Sequence, residues 1–314
     1  MNKELPPVFL NRLRTILPKD AFISVLRGFS TSSPLSVRIN TLKTTRNQVL
    51  ALLKGKGITY ETVSWTEDAL ILNTESADVL SKMNLVKEGY LYRQGLSSML
   101  PVIVLRPQPG DAVLDMCAAP GSKTSQMAAM MQNQGSILAI ERVRRRYYKL
   151  RSVTELLGVK NVSFRMMDAR RFRPTDMLFN KILVDAPCSS EGRFKQDNAK
   201  TYAYWSLRKI KEMVRKQRGL MLSASRLLKP GGSLVYSTCS FAPEENEGVI
   251  DWLIKKTKGT MHVAALSIID VRSYPALTAW QRKTFDSQIE NCLRVFPDGI
   301  MEGFFIAKLI HRAS

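Results

Sequence analysis

The run Ile182-Leu183-Val184-Asp185-Ala186-Pro187-Cys188-Ser189-Ser190 constrains this chain more than any other stretch. An uninterrupted apolar run marks a strand buried on both faces, as in a parallel sheet. An acid at its end is delivered to the carboxyl edge, where open α/β folds keep their sites. Pro187 then stops the strand and leaves Cys188 just past the edge. The run Leu234-Val235-Tyr236-Ser237-Thr238-Cys239 repeats the design. Two strand-end cysteines in one chain need a joint explanation.

The surrounding pattern alternates. Strands are expected at 111–116, 135–141, 161–167, 181–186, 232–238, 293–297 and 303–309, with helices between the first five. That order predicts an α/β fold with a right-handed, doubly wound, seven-stranded sheet. Only Pro297-Asp298-Gly299-Ile300 joins the last two strands, so they should form an antiparallel hairpin. Upstream, Val8, Phe9, Leu13, Ile16 and Leu17 recur at helical spacing between Pro6-Pro7 and Pro18, and a second helix should run from Asp20 to Gly28. A strand over Leu35–Leu42, a helix over Thr45–Leu53 ended by Gly55 and Gly57, and strands over Ile58–Trp65 and Ala69–Leu72 suggest a small α+β domain. A helix from Gln94 to Leu105 precedes the breaker Pro107-Gln108-Pro109-Gly110. The expected division is therefore 1–105 and 106–314, the first region basic at Arg38, Lys43, Arg46, Lys54 and Lys56 and able to lie against a phosphate backbone.

Charge narrows the partner. Forty-seven Lys and Arg against 27 Asp and Glu give a net charge of +20, which points to a polyanion. Arg142, Arg144, Arg145, Arg146, Lys149 and Arg151 follow one strand end, and Arg165, Arg170, Arg171 and Arg173 flank Asp168. Arg193, Lys195, Lys200, Arg208, Lys209 and Lys211 are interleaved with Tyr202, Tyr204 and Trp205, a composition suited to a nucleic acid held by its phosphates and by stacking on its bases. Those aromatics equally suit the core of a helix. The longest apolar run, Met99–Leu105, is too short to span a bilayer, and Met1 to Pro7 lacks the apolar core of a signal peptide. The cysteines at 117, 188, 239 and 292 have no metal-ligand spacing, so reduced thiols, a cytoplasmic location and no metal are expected. A monomer is expected too.

Asp115-Met116-Cys117-Ala118-Ala119-Pro120-Gly121-Ser122-Lys123-Thr124 follows the first strand of the second region. Its small residues let backbone approach a ligand, and amides at the helix start suit a carboxylate or phosphate. It is neither a nucleotide P-loop nor a G-x-G-x-x-G loop. Glu141, 26 residues after Asp115, can accept both hydroxyls of a ribose. Asp168 follows the third strand and is placed to meet an adenine edge or amine, although each acid alone is commonly a helix cap. Together they describe an adenosine-shaped groove.

Beyond this point the motifs become specific. Asp115 to Thr124, Asp185-Ala186-Pro187-Cys188-Ser189-Ser190-Glu191-Gly192, Leu228-Lys229-Pro230-Gly231-Gly232, Tyr236 to Ser240, Pro243-Glu244-Glu245-Asn246-Glu247 and Glu302-Gly303-Phe304-Phe305 closely resemble the RNA cytosine-5 methyltransferases of the RsmB/RsmF family. Val37 to Lys43 and Tyr92 to Met99 resemble that family's upstream motifs, so the likeness spans roughly residues 35–310 and is nearest the RsmF branch. It implies a class I methyltransferase fold, S-adenosylmethionine as cofactor and rRNA, or else tRNA, as partner.

Carbon 5 of cytosine is a poor nucleophile, so a thiolate must first add to carbon 6. The family pattern makes Cys239 that nucleophile and gives Cys188 a part in release. It lets Asp185 touch both cofactor and cytosine, and brings Lys123 to the active site. Residues 117–123 with Glu141, Asp168 and Asp185 would hold the cofactor. Cys117 is expected to be a loop or core residue and Cys292 a packed hydrophobe, while His262 and His311 lie outside every motif. Lys195-Gln196-Asp197-Asn198 stands where an Arg-Lys-Asp-Pro-like run is more usual. The end at Ser314 is expected to mean that the C-terminal RNA-binding extension of some relatives is missing. Two other classes fit parts of the sequence: an RNA-binding ribosome assembly factor that retains the cofactor groove, and a dinucleotide oxidoreductase, which would share the ribose acid but lacks the glycine fingerprint.

Overall fold

The computed structural model describes residues 5–31, 34–73, 84–175 and 177–312. Met1 to Glu4, part of the stretch on which the signal-peptide reading rests, and the terminal Ser314 lie outside the described residues. In chain order the elements begin with α1 (Pro7–Ile16), α2 (Lys19–Ser30), β1 (Leu35–Ile39), α3 (Arg46–Gly55), β2 (Tyr60–Val63), β3 (Thr66–Leu72), α4 (Asn84–Lys87), β4 (Leu91–Arg93) and α5 (Leu96–Leu105). They continue with β5 (Ala112–Asp115), α6 (Ser122–Met130), β6 (Ser136–Ile140), α7 (Arg144–Leu156), β7 (Val162–Arg165), β8 (Phe179–Asp185), α8 (Leu207–Leu227), β9 (Leu228–Thr238) and α9 (Glu247–Lys256). The last strands are β10 (Met261–Ala264), β11 (Ser273–Pro275), β12 (Ala279–Trp280), β13 (Lys283–Thr284), β14 (Leu293–Val295) and β15 (Phe304–His311).

These elements fall into two compact units, 34–183 with 268–270, and 1–33 with 184–267 and 271–314. In the first unit, β2-β3-β1-β4 form an antiparallel sheet around Val37, Ile39, Val49, Leu53 and Leu70. The Thr45 capping box starts α3, with Thr45 accepting from the Gln48 amide and Gln48 accepting from the Thr45 amide. β4 is an addition to the expected order of strand, helix, strand, strand. Only three residues long, it gives no period to read.

Strands β8-β5-β6-β7 of this unit run parallel, with Leu114 opposite Ile182 and Leu138, so the apolar runs are sandwiched as expected. Between β7 and β8 the expected helix is replaced by the short 3₁₀ turn Ala169–Arg171. Arg170, Arg171 and Arg173 leave no apolar stripe there to bury, and Pro174 follows. α5 is buried nearly all round, with Pro101 inside it. No helix among the described residues is long and apolar enough to cross a membrane.

β8 passes from the first unit into the second. In the second unit its end is followed by β9, β15, β14 and β11 in lateral order. β14 and β15 form the expected antiparallel hairpin, Arg294 facing Phe305, and β15 also pairs antiparallel with β9 and with β10. The seven expected strands are all present, and the short β10 and β11 add to them. α1 and α2 pack Phe9, Leu13, Val25 and Phe29 against Phe194, Phe241 and Phe296. Gly28 does not stop α2, which runs on to Ser30. A Cβ there would stand 2.6 Å from the Cβ of Pro297, so this glycine is required by close packing. These units cut the chain elsewhere than the breaker at 107–110.

Candidate active site

The two cysteine motifs meet in the second unit. β8 ends at Asp185 and β9 at Thr238, and the amide of Ala186 donates to the carbonyl of Ser237. Ser237 Oγ donates to Asp185 Oδ1 at 2.9 Å and orients that carboxylate. Just beyond, the Sγ atoms of Cys188 and Cys239 lie 3.4 Å apart. Cys239 is buried and Cys188 half-buried, and neither forms a disulfide.

Two sulfurs at this distance share one hydrogen. The bond from the Cys188 thiol, assisted by the Arg193 guanidinium, draws the Cys239 thiol down to about 7 against the opposing effect of burial. Cys188 is pushed well above its ordinary range, first by that same hydrogen bond and then by burial. Cys239 is thus the thiolate of the pair, and Cys188 its donor. Arg193 is held beside them by backbone: the Gly192 amide donates to the Cys239 carbonyl at 2.9 Å, and the Gly303 amide to the Gly192 carbonyl at 3.3 Å. A Cβ on Gly192 would stand 2.2 Å from the Gly303 carbonyl oxygen, so the approach depends on glycine. Arg193 Nε bonds Glu302 Oε2 at 3.1 Å, with its side chain 51% exposed. In the sequence Arg193 was one of many basic residues; its position five residues after Cys188 was the available signal.

A buried polar layer supports the thiol loop. Gln217 on α8 donates to the Pro187 carbonyl at 3.0 Å and to Glu245 Oε2 at 2.8 Å, and Glu245 accepts from the Ser189 amide at 3.0 Å. Tyr236 donates to the Glu245 carbonyl, and Asn246 bridges Thr238 and the Ser240 carbonyl. Deeper, Arg294 makes a two-pronged bond to Glu247 at 2.6 Å and donates to the Phe241 carbonyl. The unusual run after the Pro-Cys motif turns inward: the Gln196 amide donates to the Phe29 carbonyl and Lys195 Nζ to that of Thr31. Tyr202 and Trp205 pack on the aromatic cluster, whereas Tyr204 is 88% exposed, so only the last remains available to stack on a base.

In the first unit the loop 117–121 leads from β5 into α6. Asp115 accepts from Thr124 Oγ1 at 2.8 Å and from the Cys117 amide at 3.4 Å, and the Ala118 amide donates to Ile140. Gly121, the cap residue before α6, has φ +108°, which strains any side chain, and a Cβ there would also sit tight at 3.3 Å from the Leu150 carbonyl oxygen. Lys123 is buried and donates to Ser98 Oγ at 2.8 Å, so it is no surface lysine. Glu141, also buried, accepts from the Val143 amide at 2.8 Å, with Arg146 at 3.7 Å. Asp168 caps the 169–171 turn and pairs with Arg170, whose hydrogen bonds hold its carboxyl below the usual range. Cysteine 117 is a half-buried loop residue and Cys292 is fully buried. Arg38, read as a possible phosphate contact, is instead buried and bonded to Gln94 and Ser125. Burial lowers it to about 10. Among the described residues no cluster of His, Cys, Asp and Glu could hold a metal.

Residues 102–310 match the profile of the family described as 16S rRNA methyltransferase RsmB/F. The chain belongs to the RsmB/F methyltransferase family. Residues 5–79 match the RsmF/B-like ferredoxin-like domain. A tRNA (cytosine(49)-C(5))-methyltransferase of Pyrococcus abyssi is 37% identical, over 87% of each chain. Ribosomal RNA small subunit methyltransferase F of Klebsiella pneumoniae is 36% identical over 98% of this chain, which spans 64% of that relative's length. The crystal structure of a methyltransferase homologue from Pyrococcus horikoshii, 31% identical, superposes with a TM-score of 0.82 over 98% of this chain and 100% of that one. As a member of the RsmB/F family, the chain has a Rossmann-like methyltransferase fold with a mostly parallel sheet.

Proposed function

We propose that this RsmB/F family member methylates carbon 5 of cytosine in structured RNA, using S-adenosylmethionine, with rRNA ahead of tRNA as substrate. The observation that carries the reading is the 3.4 Å thiol pair in which Cys239 is the member that ionises near neutral pH. The cited relatives act on rRNA or on tRNA by name. The two-domain division 1–105 and 106–314 belongs to the same proposal, supported by profile matches over 5–79 and 102–310.

The donor set fits the cofactor's chemistry. The small residues Ala118, Ala119 and Gly121, with Cys117 and Pro120, let backbone approach, and the amides of Ser122 and Lys123 at the start of α6 suit its carboxylate. Glu141 offers a buried carboxylate for ribose hydroxyls, while Asp168 must share its charge with Arg170 to meet the base. When bound, the group supplies an electrophilic methyl.

The chain's own residues do the rest. The Cys239 thiolate forms a bond to carbon 6, which moves an electron pair onto carbon 5 for capture of the methyl. Asp185, oriented by Ser237, carries the proton that it donates to ring nitrogen 3 as sulfur adds, and this offsets the negative charge that addition creates. After a base has taken the carbon-5 proton, the carbon 6–sulfur bond breaks and its electron pair returns to Cys239. Cys188, whose thiol keeps its proton, donates to the departing sulfur and stabilises it. Lys123 orders the segment around Ser98.

Incubation with methyl-labelled cofactor and deproteinised rRNA or tRNA tests the reading. Label should appear as 5-methylcytosine, be lost in Cys239→Ala and persist in Cys292→Ala. Full activity in Cys239→Ala would overturn it, and RNA binding without turnover in the wild type would favour the assembly-factor alternative.

A further inference from the structure

Glu191 and Glu245 are two carboxyls of the second unit for which the mechanism has no use, and both are buried, at 1% and 0% exposure. They converge on one hydroxyl. Ser240 Oγ lies 3.2 Å from Glu191 Oε2, 3.0 Å from Glu245 Oε1 and 2.9 Å from Ser189 Oγ, and it accepts from the Ala242 amide at 3.1 Å. Among the described residues neither carboxyl forms an ion pair. Arg12, the cation that acts on Glu191, is itself bonded to Glu244. The remaining titratable group facing the pair is Cys188.

Proton counting and like-charge repulsion together bear on the state of this cluster. A serine hydroxyl has one hydrogen and two lone pairs, and Ala242 takes one of the latter. With both carboxyls ionised, Ser240 could donate to only one, its second lone pair being open to the Ser189 hydroxyl, and Glu191, held by the Trp205 Nε1 and Phe241 amide hydrogens, would stand beside the like charge of Glu245 in a dry interior. Like charges so placed retain one proton between them. A protonated carboxyl donating to Ser240, which donates onward, satisfies both contacts. Burial, then the neighbouring Glu191, pushes Glu245 up to about 7.

Glu245 is also tied to the thiol loop. Its carboxylate accepts from the Ser189 amide, next to Cys188, and from Gln217, which holds the Pro187 carbonyl on the other side. We propose that Glu191 and Glu245 hold a single proton through Ser240, and that Glu245 is a positioning residue for Cys188, gripping the Ser189 amide when ionised and loosening it when protonated. The proposal rests on the release role of Cys188 given above. A charged acceptor makes the stronger bond, so the grip tightens as pH rises through neutrality.

The test follows decay of the denaturant-stable protein–RNA adduct in single turnover, with deproteinised rRNA and tRNA as probes, across the neutral pH range. Wild-type decay should quicken as pH rises. In Glu245→Gln it should be roughly fivefold slower at the alkaline end, the order expected when a neutral acceptor replaces a charged one, and its pH slope should vanish. In Glu191→Gln the slope should move to lower pH, because Glu245 loses its like-charged neighbour. Wild-type decay and slope in Glu245→Gln, or an unmoved slope in Glu191→Gln, overturns the proposal. The second variant decides if the first does not fold. Cys188→Ala separates the two claims: no trapped adduct there removes the release role itself, whereas a trapped adduct beside an unaltered Glu245→Gln removes only the positioning role.

Discussion

The sulfurs of Cys188 and Cys239 lie 3.4 Å apart, and the hydrogen between them belongs to Cys188. Selective alkylation checks this ordering. Iodoacetamide followed by mass mapping should modify Cys239 first, with a pH midpoint near the value of about 7 set by the Cys188 hydrogen bond and Arg193. In Cys188→Ala that midpoint should rise, because the largest stabiliser of the thiolate is gone. Equal labelling of both cysteines would remove the assignment.

Arg193 acts through charge at the same sulfur. Arg193→Ala should move the alkaline rise of methyl transfer to higher pH, and each unit of displacement means about tenfold less thiolate below the midpoint. Arg193→Lys should restore part of the loss. A pH–rate profile that moves in neither variant would show that the guanidinium has no hold on Cys239.

The buried pair of Arg294 and Glu247 makes a stability prediction. Arg294→Ala would leave Glu247, wholly enclosed, without its counter-ion, and about 3–5 kcal/mol of unfolding free energy should be lost. Denaturant titration reads this directly, and a loss below about 1 kcal/mol would place the pair among the weakly coupled ones.

Gly192→Ala should disturb the site with no change in chemistry. The added methyl meets the Gly303 carbonyl oxygen at 2.2 Å, so the loop holding Arg193 must leave the Cys239 carbonyl. Methyl transfer should fall by at least about tenfold, equal to about 1.4 kcal/mol in the barrier, and an unchanged rate would mean that the backbone contact is dispensable.

Glu245 should register in the pH dependence of stability. Its carboxyl titrates at about 7 in the folded chain and at 4.5 when unperturbed, so between these values the folded state binds more protons than the unfolded one. Stability therefore falls as pH rises through that window. Thermal melts of Glu245→Gln should lose this part of the decline; a wild-type slope would put the raised titration on another group.

Residue types and spacing made the outline of the fold legible in the sequence. The apolar runs that end at Asp115 and Ile140 lie between parallel neighbours, and the run before Asp185 pairs parallel with β5, which is the environment such runs require. The helix read over Thr45–Leu53 is present, and the structure adds the Thr45–Gln48 capping box that starts it. Arg38 was less legible, since a basic residue in a basic stretch gives no local sign that Gln94 and Ser125 will enclose it. Gly28 looked like a helix stop because its reason, Pro297, lies 269 residues away in the chain. The cysteines were found as strand-end residues, but Gln217, Glu245 and Arg193 support them from elements with no shared period. Only tertiary contact reveals such partners.

The aromatic cluster has a consequence for biosynthesis. Phe9 and Phe29 leave the ribosome early, yet the rings that enclose them, Phe194, Phe241 and Phe296, are made far later. At the usual elongation speed of roughly 5–20 residues per second, α1 waits roughly 15–60 s for its last partner. During that interval its apolar face is available to chaperones, and a nascent chain arrested before Phe194 should be held by them.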